Sequence, residues 1–96
     1  LHWAARAGRV DAARLLLAHG AGINARGALG QTALHLASLY GHPGVARLLL
    51  DAGAPPNLKN DNGDTTLDLA LEHGNKDMAQ LLREHGAKRA EELRAE

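Results

Sequence analysis

The sequence predicts an all-α solenoid, in which short helix-turn-helix units stack side by side as one domain. The 96 residues align with themselves at an offset of 33, and 14 of the 33 residue pairs between 1–33 and 34–66 are identical. Ala and Leu together make up 37 residues, a composition that favours closely packed helices over sheets. Phe is absent and Trp3 and Tyr40 are the only aromatic residues, whereas a single globular core of this size usually contains several.

Each copy of the repeat contains two short segments whose apolar residues recur with helical spacing. One glycine lies between the two segments of every pair. A second glycine follows each pair, at a helix end that favours left-handed backbone. The segments are residues 1–7 and 11–19, 34–40 and 44–52, and 67–73 and 77–85, with Gly8, Gly41 and Gly74 inside the pairs and Gly20, Gly53 and Gly86 after them. One pair cannot bury its apolar face alone, so we expect neighbouring pairs to supply the core.

Residues at the predicted helix starts fit the needs of a helix N-terminus. Pro43 lies at the start of a second segment, where a missing N–H group costs nothing. Asp11 and Asp77 lie at the equivalent entries and complement the positive end of the helix dipole. Thr32 and Thr65 precede first segments, so we interpret them as helix caps rather than nucleophiles.

Turn-forming residues separate the helix pairs. Residues 21–33 and 54–66 contain Gly, Asn, Asp and Pro, which predicts projecting turns between the units. The single domain, 1–96, would then comprise four parts. They are a partial first repeat over 1–26, a second repeat over 27–59, a third, capping repeat over 60–88 and a charged helical tail over 89–96.

The sequence around the first of these turns carries a specific motif. Residues 30–37 read GQTALHLA. At a period of 33, this pattern resembles the ankyrin repeat, whose T-P-L-H-x-A core it matches except for Ala33 in place of Pro. The third copy departs further, with Thr66 in place of Pro and Asp68 in place of His. The resemblance covers residues 1 to about 88 and implies an ankyrin-repeat solenoid.

Six histidines suggest a metal site, but the resemblance implies structural roles for them. His2 and His35 occupy the position whose ring hydrogen-bonds neighbouring turn backbone in this family. No two histidines have the i, i+4 spacing of helical metal ligands, and Cys is absent. The residues between Asp61, Asp64 and Asp68 do not fit a calcium loop. We therefore predict no metal and no cofactor.

Charge and composition exclude several classes of function. Eleven basic and eleven acidic residues give a net charge of zero, without the basic excess that is typical of nucleic-acid or membrane-surface binding. No apolar run approaches the roughly 18 residues of a membrane span. Cys is absent, and Ser38, the only serine, stands where another copy has Ala5. We predict no catalytic residue and neither a nucleic-acid nor a membrane partner.

The resemblance also implies where a protein partner would bind. Ankyrin repeats vary their binding residues at the tips of the projecting turns and along the exposed side of each first helix, which together line a concave groove. At the matching positions, the predicted partner-binding residues are Arg6, Ala28, Leu29, Gln31, Leu39, Tyr40, Asp61, Asn62, Asp64, Glu72 and His73. Leu29, Leu39 and Tyr40 would form an apolar centre, with Arg6 on one side and acidic groups on the other.

The sequence also predicts how far four large apolar side chains are buried. Tyr40 would alternatively pack on a neighbouring turn, with Leu39 a single tolerated exposure. Trp3 stands where the other copies have leucine, so we expect it to pack in the core or between repeats. The alternative is that Trp3 is exposed, because the first repeat has no neighbour before it in this sequence. Leu48 is expected to be a buried core residue.

The two ends of the chain differ in character. Arg83 stands where the middle copy has Leu50, and the charged tail follows, which is typical of a C-terminal capping repeat. The first copy begins at Leu1 without Met and without its preceding turn. We expect the sequence to start inside a longer array or to lack an N-terminal part.

The predicted function is non-catalytic binding of a protein or peptide through the concave face, in an intracellular setting, cytoplasmic or nuclear. The alternative is a structural spacer, or a segment that docks within a larger protein or self-associates through the uncapped first repeat. An enzyme would require catalytic residues in sequence outside these 96 residues. The partner's identity does not follow from the fold, because one scaffold serves unrelated targets.

Overall fold

The computed structural model describes residues 1–94 and confirms an all-helical stack. Its helices are α1 (His2–Ala7), α2 (Val10–Ala18), α3 (Ala33–Tyr40), α4 (Pro43–Asp51), α5 (Thr66–Glu72), α6 (Lys76–Glu84) and α7 (Ala90–Arg94). The first six lie within one residue of the predicted segments. α7 lies in the predicted tail, whose last two residues, 95 and 96, lie outside the described residues.

The paired helices form two layers. α1, α3 and α5 lie side by side in one layer, while α2, α4 and α6 form the other. A short turn joins the two helices of each pair. The stack is 38 Å long and 24 by 20 Å across.

Small side chains allow neighbouring helices to approach closely. Ala4, Ala37 and Ala70 occupy equivalent positions in the three repeats and are completely buried. Leu34 and Leu67 fill the spaces beside them in α3 and α5. The core is therefore a series of thin Ala/Leu layers that needs no large aromatic side chain.

Leu49 and Leu50 are the buried leucines of α4, so the prediction for Leu48 is wrong. Leu49 is completely buried, as is its equivalent Leu82 in α6. Leu48 is only partly buried and packs against the core from outside. Successive residues of a helix point in directions about 100° apart, so consecutive leucines cannot all face the core.

Trp3 is exposed, which is the alternative prediction, and the prediction that it packs in the core or between repeats is wrong. Its exposed fraction is 62%, whereas that of Leu69, at the equivalent position of the third repeat, is 6%. Leu36, the equivalent residue of the middle repeat, is half-buried. Coverage of this position therefore decreases along the stack towards the first repeat.

Capping boxes begin α3 and α5. Thr32 Oγ1 accepts the N–H of His35 at 3.3 Å, and His35 Nδ1 accepts the N–H of Thr32 at 3.1 Å. In α5, Asp68 takes the place of the histidine and accepts the N–H of Thr65 at 2.9 Å. Pro43 lies in the first turn of α4. The predicted threonine caps and the proline position are confirmed.

Side chains of the following repeat hydrogen-bond to the turns inside the first and second helix pairs. Gly8 ends α1 with a φ of 73°, and a Cβ atom at this position would lie 2.5 Å from His42 Nδ1. His42 Nε2 donates to the carbonyl oxygen of Arg6 at 2.9 Å. Asn75 Nδ2 donates in the same way to the carbonyl oxygen of Ser38 at 3.4 Å. These bonds fix each repeat against its neighbour.

We expect proline at position 33 to stabilise the fold. Ala33 is the first residue of α3, and Thr32 before it is extended, with a ψ of 171°, as a residue before proline must be. Ala33→Pro should raise the free energy of unfolding by about 0.4–1 kcal/mol, because it restricts the unfolded chain. Thr66→Pro is the control, since it removes a hydroxyl that donates to Pro56 O at 3.0 Å. Urea unfolding should show a gain for the first variant alone, and an equal gain for both would contradict this account.

Candidate functional site

Two hairpin turns project from the stack beside α1, α3 and α5. In the first hairpin, residues 27–31, the N–H of the first residue donates to the carbonyl oxygen of the last at 2.9 Å. In the second hairpin, residues 60–64, the equivalent bond is also 2.9 Å long. The turns predicted over residues 21–33 and 54–66 contain these two hairpins.

Leu29 forms the tip of the first hairpin in a strained conformation. Its φ is 60°. Among the described residues, no other non-glycine residue has a positive φ. Left-handed backbone costs a residue with a Cβ atom roughly 1–2 kcal/mol. Asn62, at the equivalent position of the second hairpin, is not strained in this way. The fold thus holds a large apolar side chain outward at an energetic cost, a feature often found at binding sites.

The hairpins are tied into one edge. The N–H of Asp61 donates to the carbonyl oxygen of Leu29 at 2.9 Å. The Arg26 guanidinium donates to Gly30 O at 2.8 Å and to Lys59 O at 2.7 Å, and so bridges the first hairpin to the residue before the second. The tips are therefore positioned before any partner arrives.

Gln31, one of the predicted partner-binding residues, belongs to this internal network. It is 8% exposed, and its Oε1 accepts a hydrogen bond from Asn60 Nδ2 at 3.1 Å. Successive side chains of an extended segment point to opposite sides. At this position the side chain points towards the neighbouring hairpin, where it couples the two turns.

Two histidines hold the hairpins onto the helices. His2 Nε2 donates to Gln31 O at 3.0 Å, and His35 Nε2 donates to Asp64 O at 3.2 Å. The His35 ring also accepts the N–H of Thr32 through Nδ1, so it is neutral with its proton on Nε2. The predicted structural role of both rings is confirmed.

Burial lowers the pKa of His35 below its ordinary value of 6.5. The nearby Arg26 guanidinium also lowers this pKa, while hydrogen bonds to the backbone of Asp64 and Leu58 raise it without cancelling the effect of burial. The folded protein therefore favours the neutral ring.

We expect the stack to lose stability as the pH falls below about 6.5, because His35 then takes up a proton more readily in the unfolded chain than in the folded one. Thermal unfolding between about pH 7.5 and 5.5 tests this. His35→Gln should lower stability overall but flatten its dependence on pH. If His35→Gln keeps the wild-type pH dependence, His35 is not the group that causes the loss of stability. Asp64, whose pKa is raised, contributes with the opposite sign and at lower pH.

A cavity of about 490 Å³, the apolar groove, lies between the first hairpin and helices α1 and α3. It is lined by His2, Trp3, Arg6, Gly27, Ala28, Leu29, Gln31, Leu36, Leu39 and Tyr40. Three large side chains from three separate elements remain open to solvent here. Trp3 is 62%, Leu29 61% and Tyr40 47% exposed.

Two arginines hold the aromatic side chains of the apolar groove. The Arg6 guanidinium lies 5.5 Å from the centre of the Tyr40 ring, and that of Arg9 lies 5.9 Å from the Trp3 ring. Neither arginine has a carboxylate within ion-pair distance in residues 1–94. The groove therefore combines fixed aromatic surface with unpaired positive charge.

A second cavity, the acidic cleft, has a volume of about 530 Å³ and lies beside the second hairpin. It is lined by Lys59, Asn62, Gly63, Asp64, Asp68, Glu72, Ala90, Glu91 and Arg94. Burial raises the pKa of Asp64, and the neighbouring Asp68 and Glu72 carboxylates raise it further. Asp68 is occupied by the helix cap and by the N–H of Ala90, at 3.0 Å.

A third cavity, of about 390 Å³, lies at the turns inside the second and third helix pairs. It is lined by Gly41, Pro43, Gly74, Asn75, Lys76, Asp77 and Met78. No large apolar side chain is exposed there, because Met78 is 1% exposed. We therefore assign the candidate site to the apolar groove.

The structure divides the predicted partner-binding residues into separate groups. Those lining the apolar groove are Arg6, Ala28, Leu29, Gln31, Leu39 and Tyr40, of which Gln31 is buried. Those lining the acidic cleft are Asn62, Asp64 and Glu72. Asp61 packs its carboxylate against Gly30, and His73, which follows α5, donates from Nδ1 to Leu69 O of that helix at 3.0 Å.

Trp3 and Leu36 are not among the site residues predicted from the sequence. Both line the apolar groove, at equivalent positions of α1 and α3. The available signal was the replacement of a repeated leucine by Trp3 at the first copy. Its size alone did not reveal whether the ring would be covered.

The model of the family described as ankyrin repeats, in three copies, matches residues 1–91. The chain belongs to the ankyrin-repeat family. Ankyrin repeats are in general non-catalytic protein–protein interaction modules. A search of curated proteins gives no match to this chain.

Two further observations bear on the chemistry of this ankyrin-repeat stack. Within residues 1–94, every helix is too short or too polar to cross a membrane. In the same residues, no three His, Asp or Glu side chains are arranged to hold a metal ion.

Proposed function

We propose that this ankyrin-repeat chain binds a protein or peptide segment in the apolar groove on its concave face, without catalysing a reaction. The observation that carries the proposal is the convergence of Trp3, Leu29 and Tyr40, which expose apolar surface side by side. Tryptophan and tyrosine are enriched among the residues that contribute most to binding energy.

The groove is preorganised for such binding. Arg26 and Gln31 fix the first hairpin against the second, and His2 fixes it against α1. Arg6 lies over Tyr40. A partner therefore meets side chains that lose little freedom on binding, which lowers the cost of association.

Photo-crosslinking tests this proposal with a matched control. A benzophenone amino acid replaces either Leu29, in the groove, or Leu15, which is 59% exposed on α2 and does not line the groove. Cell extract is irradiated with each protein, and adducts are identified by mass spectrometry. Protein adducts specific to position 29 support binding in the groove. Equal adducts at both positions, or adducts at position 15 alone, contradict it.

Self-association is a second candidate, favoured by the exposure of Leu16. This residue of α2 is 37% exposed, whereas Leu49 and Leu82, its equivalents in α4 and α6, are completely buried. A second copy would cover this surface. Sedimentation equilibrium distinguishes the two functions, because self-association through α2 predicts a dimer that Leu16→Arg dissociates. A monomer at all concentrations excludes this candidate.

A further inference from the structure

Three equivalent positions form a row across the helices beside the hairpins. Arg6, Leu39 and Glu72 are separated by 33 residues each and lie in the last turns of α1, α3 and α5. Helix α3 packs between α1 and α5. The row therefore changes along the stack from basic through apolar to acidic.

The charge of the whole chain follows the same direction. Residues 1–26 contain four arginines and one aspartate, a net charge of +3. Residues 60–88 contain six carboxylates and three basic side chains, a net charge of −3. The zero net charge of the chain thus conceals opposite charges at the two ends of the stack.

The charged groups at the ends of the row are free to meet a ligand. Arg6 and its neighbour Arg9 contact aromatic rings and have no ion-pair partner in the described part of the chain. Glu72 is exposed and likewise unpaired there. Asp64 lies with it in the acidic cleft, where an added cation would relieve the repulsion between the carboxylates.

We propose that the apolar groove and the acidic cleft together select a segment in which an acidic side chain, an apolar anchor and a basic side chain follow one another in that spatial order. The acidic group meets Arg6 and Arg9, the anchor enters between Trp3, Leu29 and Tyr40, and the basic group meets Glu72 and Asp64. This inference rests on the proposed function and names the class of segment that the groove accepts.

Helix spacing sets the length of this segment. Packed helices lie about 8–10 Å apart, so the row from α1 to α5 spans roughly 20 Å. An extended chain advances about 3.3 Å per residue, so the acidic and basic side chains should lie about six residues apart. The segment can run in either chain direction, because only the order of side chains across the groove is specified.

Two labelled peptides of identical composition test the proposal by fluorescence polarisation. Both carry glutamates, lysines and the same central leucine and phenylalanine. In the ordered peptide the glutamates lie at one end and the lysines at the other. In the mixed peptide each end carries one residue of each charge. The ordered peptide should bind about tenfold more tightly at low salt, with the advantage shrinking as salt screens the charges.

Charge reversal in the protein gives the matched test. Glu72→Lys should remove most of the advantage of the ordered peptide while leaving the mixed peptide little changed. Replacing the lysines of the ordered peptide by glutamates should then restore its binding to this variant. Leu15→Arg adds positive charge outside the groove and should alter neither affinity.

The outcomes separate this inference from the proposed function. If both peptides bind equally and Leu29→Arg/Tyr40→Ala abolishes the binding of both, the apolar groove is a binding site but does not select the proposed order of charges. If neither peptide binds, or if the chain pairs with a second copy that the ordered peptide does not displace, the inference is overturned. Crosslinking from position 29 tests the groove independently of any peptide.

Discussion

Leu49→Ala is expected to lower the free energy of unfolding by about 2–5 kcal/mol. Leu49 is completely buried in α4, the middle helix of its layer, which packs against α2, α3 and α6. Truncation would leave a cavity at the junction of all three repeats. Small domains are stable by only about 5–15 kcal/mol, so this single change approaches the limit of what the stack tolerates.

Leu48→Ala is the matched control, because Leu48 is the preceding residue of the same helix and is only partly buried. Urea unfolding followed by far-ultraviolet circular dichroism measures both variants. The loss should be clearly larger for Leu49→Ala, and each transition should remain cooperative because every repeat depends on its neighbours. Equal losses of stability in the two variants would contradict the finding that Leu49 is more deeply buried in the core than Leu48.

Leu29→Arg combined with Tyr40→Ala is expected to weaken partner binding by at least about 30-fold, the effect of losing roughly 2 kcal/mol at a hot spot. Both side chains are about half or more exposed, so unfolding should change by no more than about 1 kcal/mol. Leu29 is a cleaner probe than Leu39, which is half-buried and contributes to packing.

Calorimetric titration measures this effect with the protein that crosslinks to position 29. Leu15→Arg serves as the control, since it places the same charge on an equally exposed leucine of α2. The control should bind as the wild type does. If the double variant also binds normally, the groove is not the binding surface. If it unfolds as readily as Leu49→Ala, Leu29 and Tyr40 are packing residues.

Most of the fold follows from residues that repeat. The glycines, the threonine caps and Pro43 each impose a local geometry that a single sequence reveals, and the paired helices lie within one residue of their predicted positions. Periodicity, however, does not define which face of each helix is most deeply covered. Leu48 was therefore predicted to be buried, whereas the adjacent Leu49 is the completely buried residue.

The site was predicted less completely because exposure depends on neighbours that a repeated pattern does not show. Trp3 and Leu69 occupy equivalent positions but differ widely in exposure. Gln31 was assigned to the surface from its place beside a hairpin tip, yet its amide binds Asn60 in the next hairpin. The sequence likewise did not predict the division between an apolar groove and an acidic cleft, because each cavity is formed by residues from neighbouring helices and hairpins.

Amide chemical-shift mapping of the labelled protein with its crosslinked partner tests whether the partner binds in the apolar groove. We expect the shifts to concentrate in the first hairpin, residues 27–31, and in α1 and α3 around Trp3 and Tyr40. The amides of α2, α4 and α6 should change little. Shifts concentrated in α2, α4 or α6, with the hairpin unchanged, would contradict binding in the apolar groove.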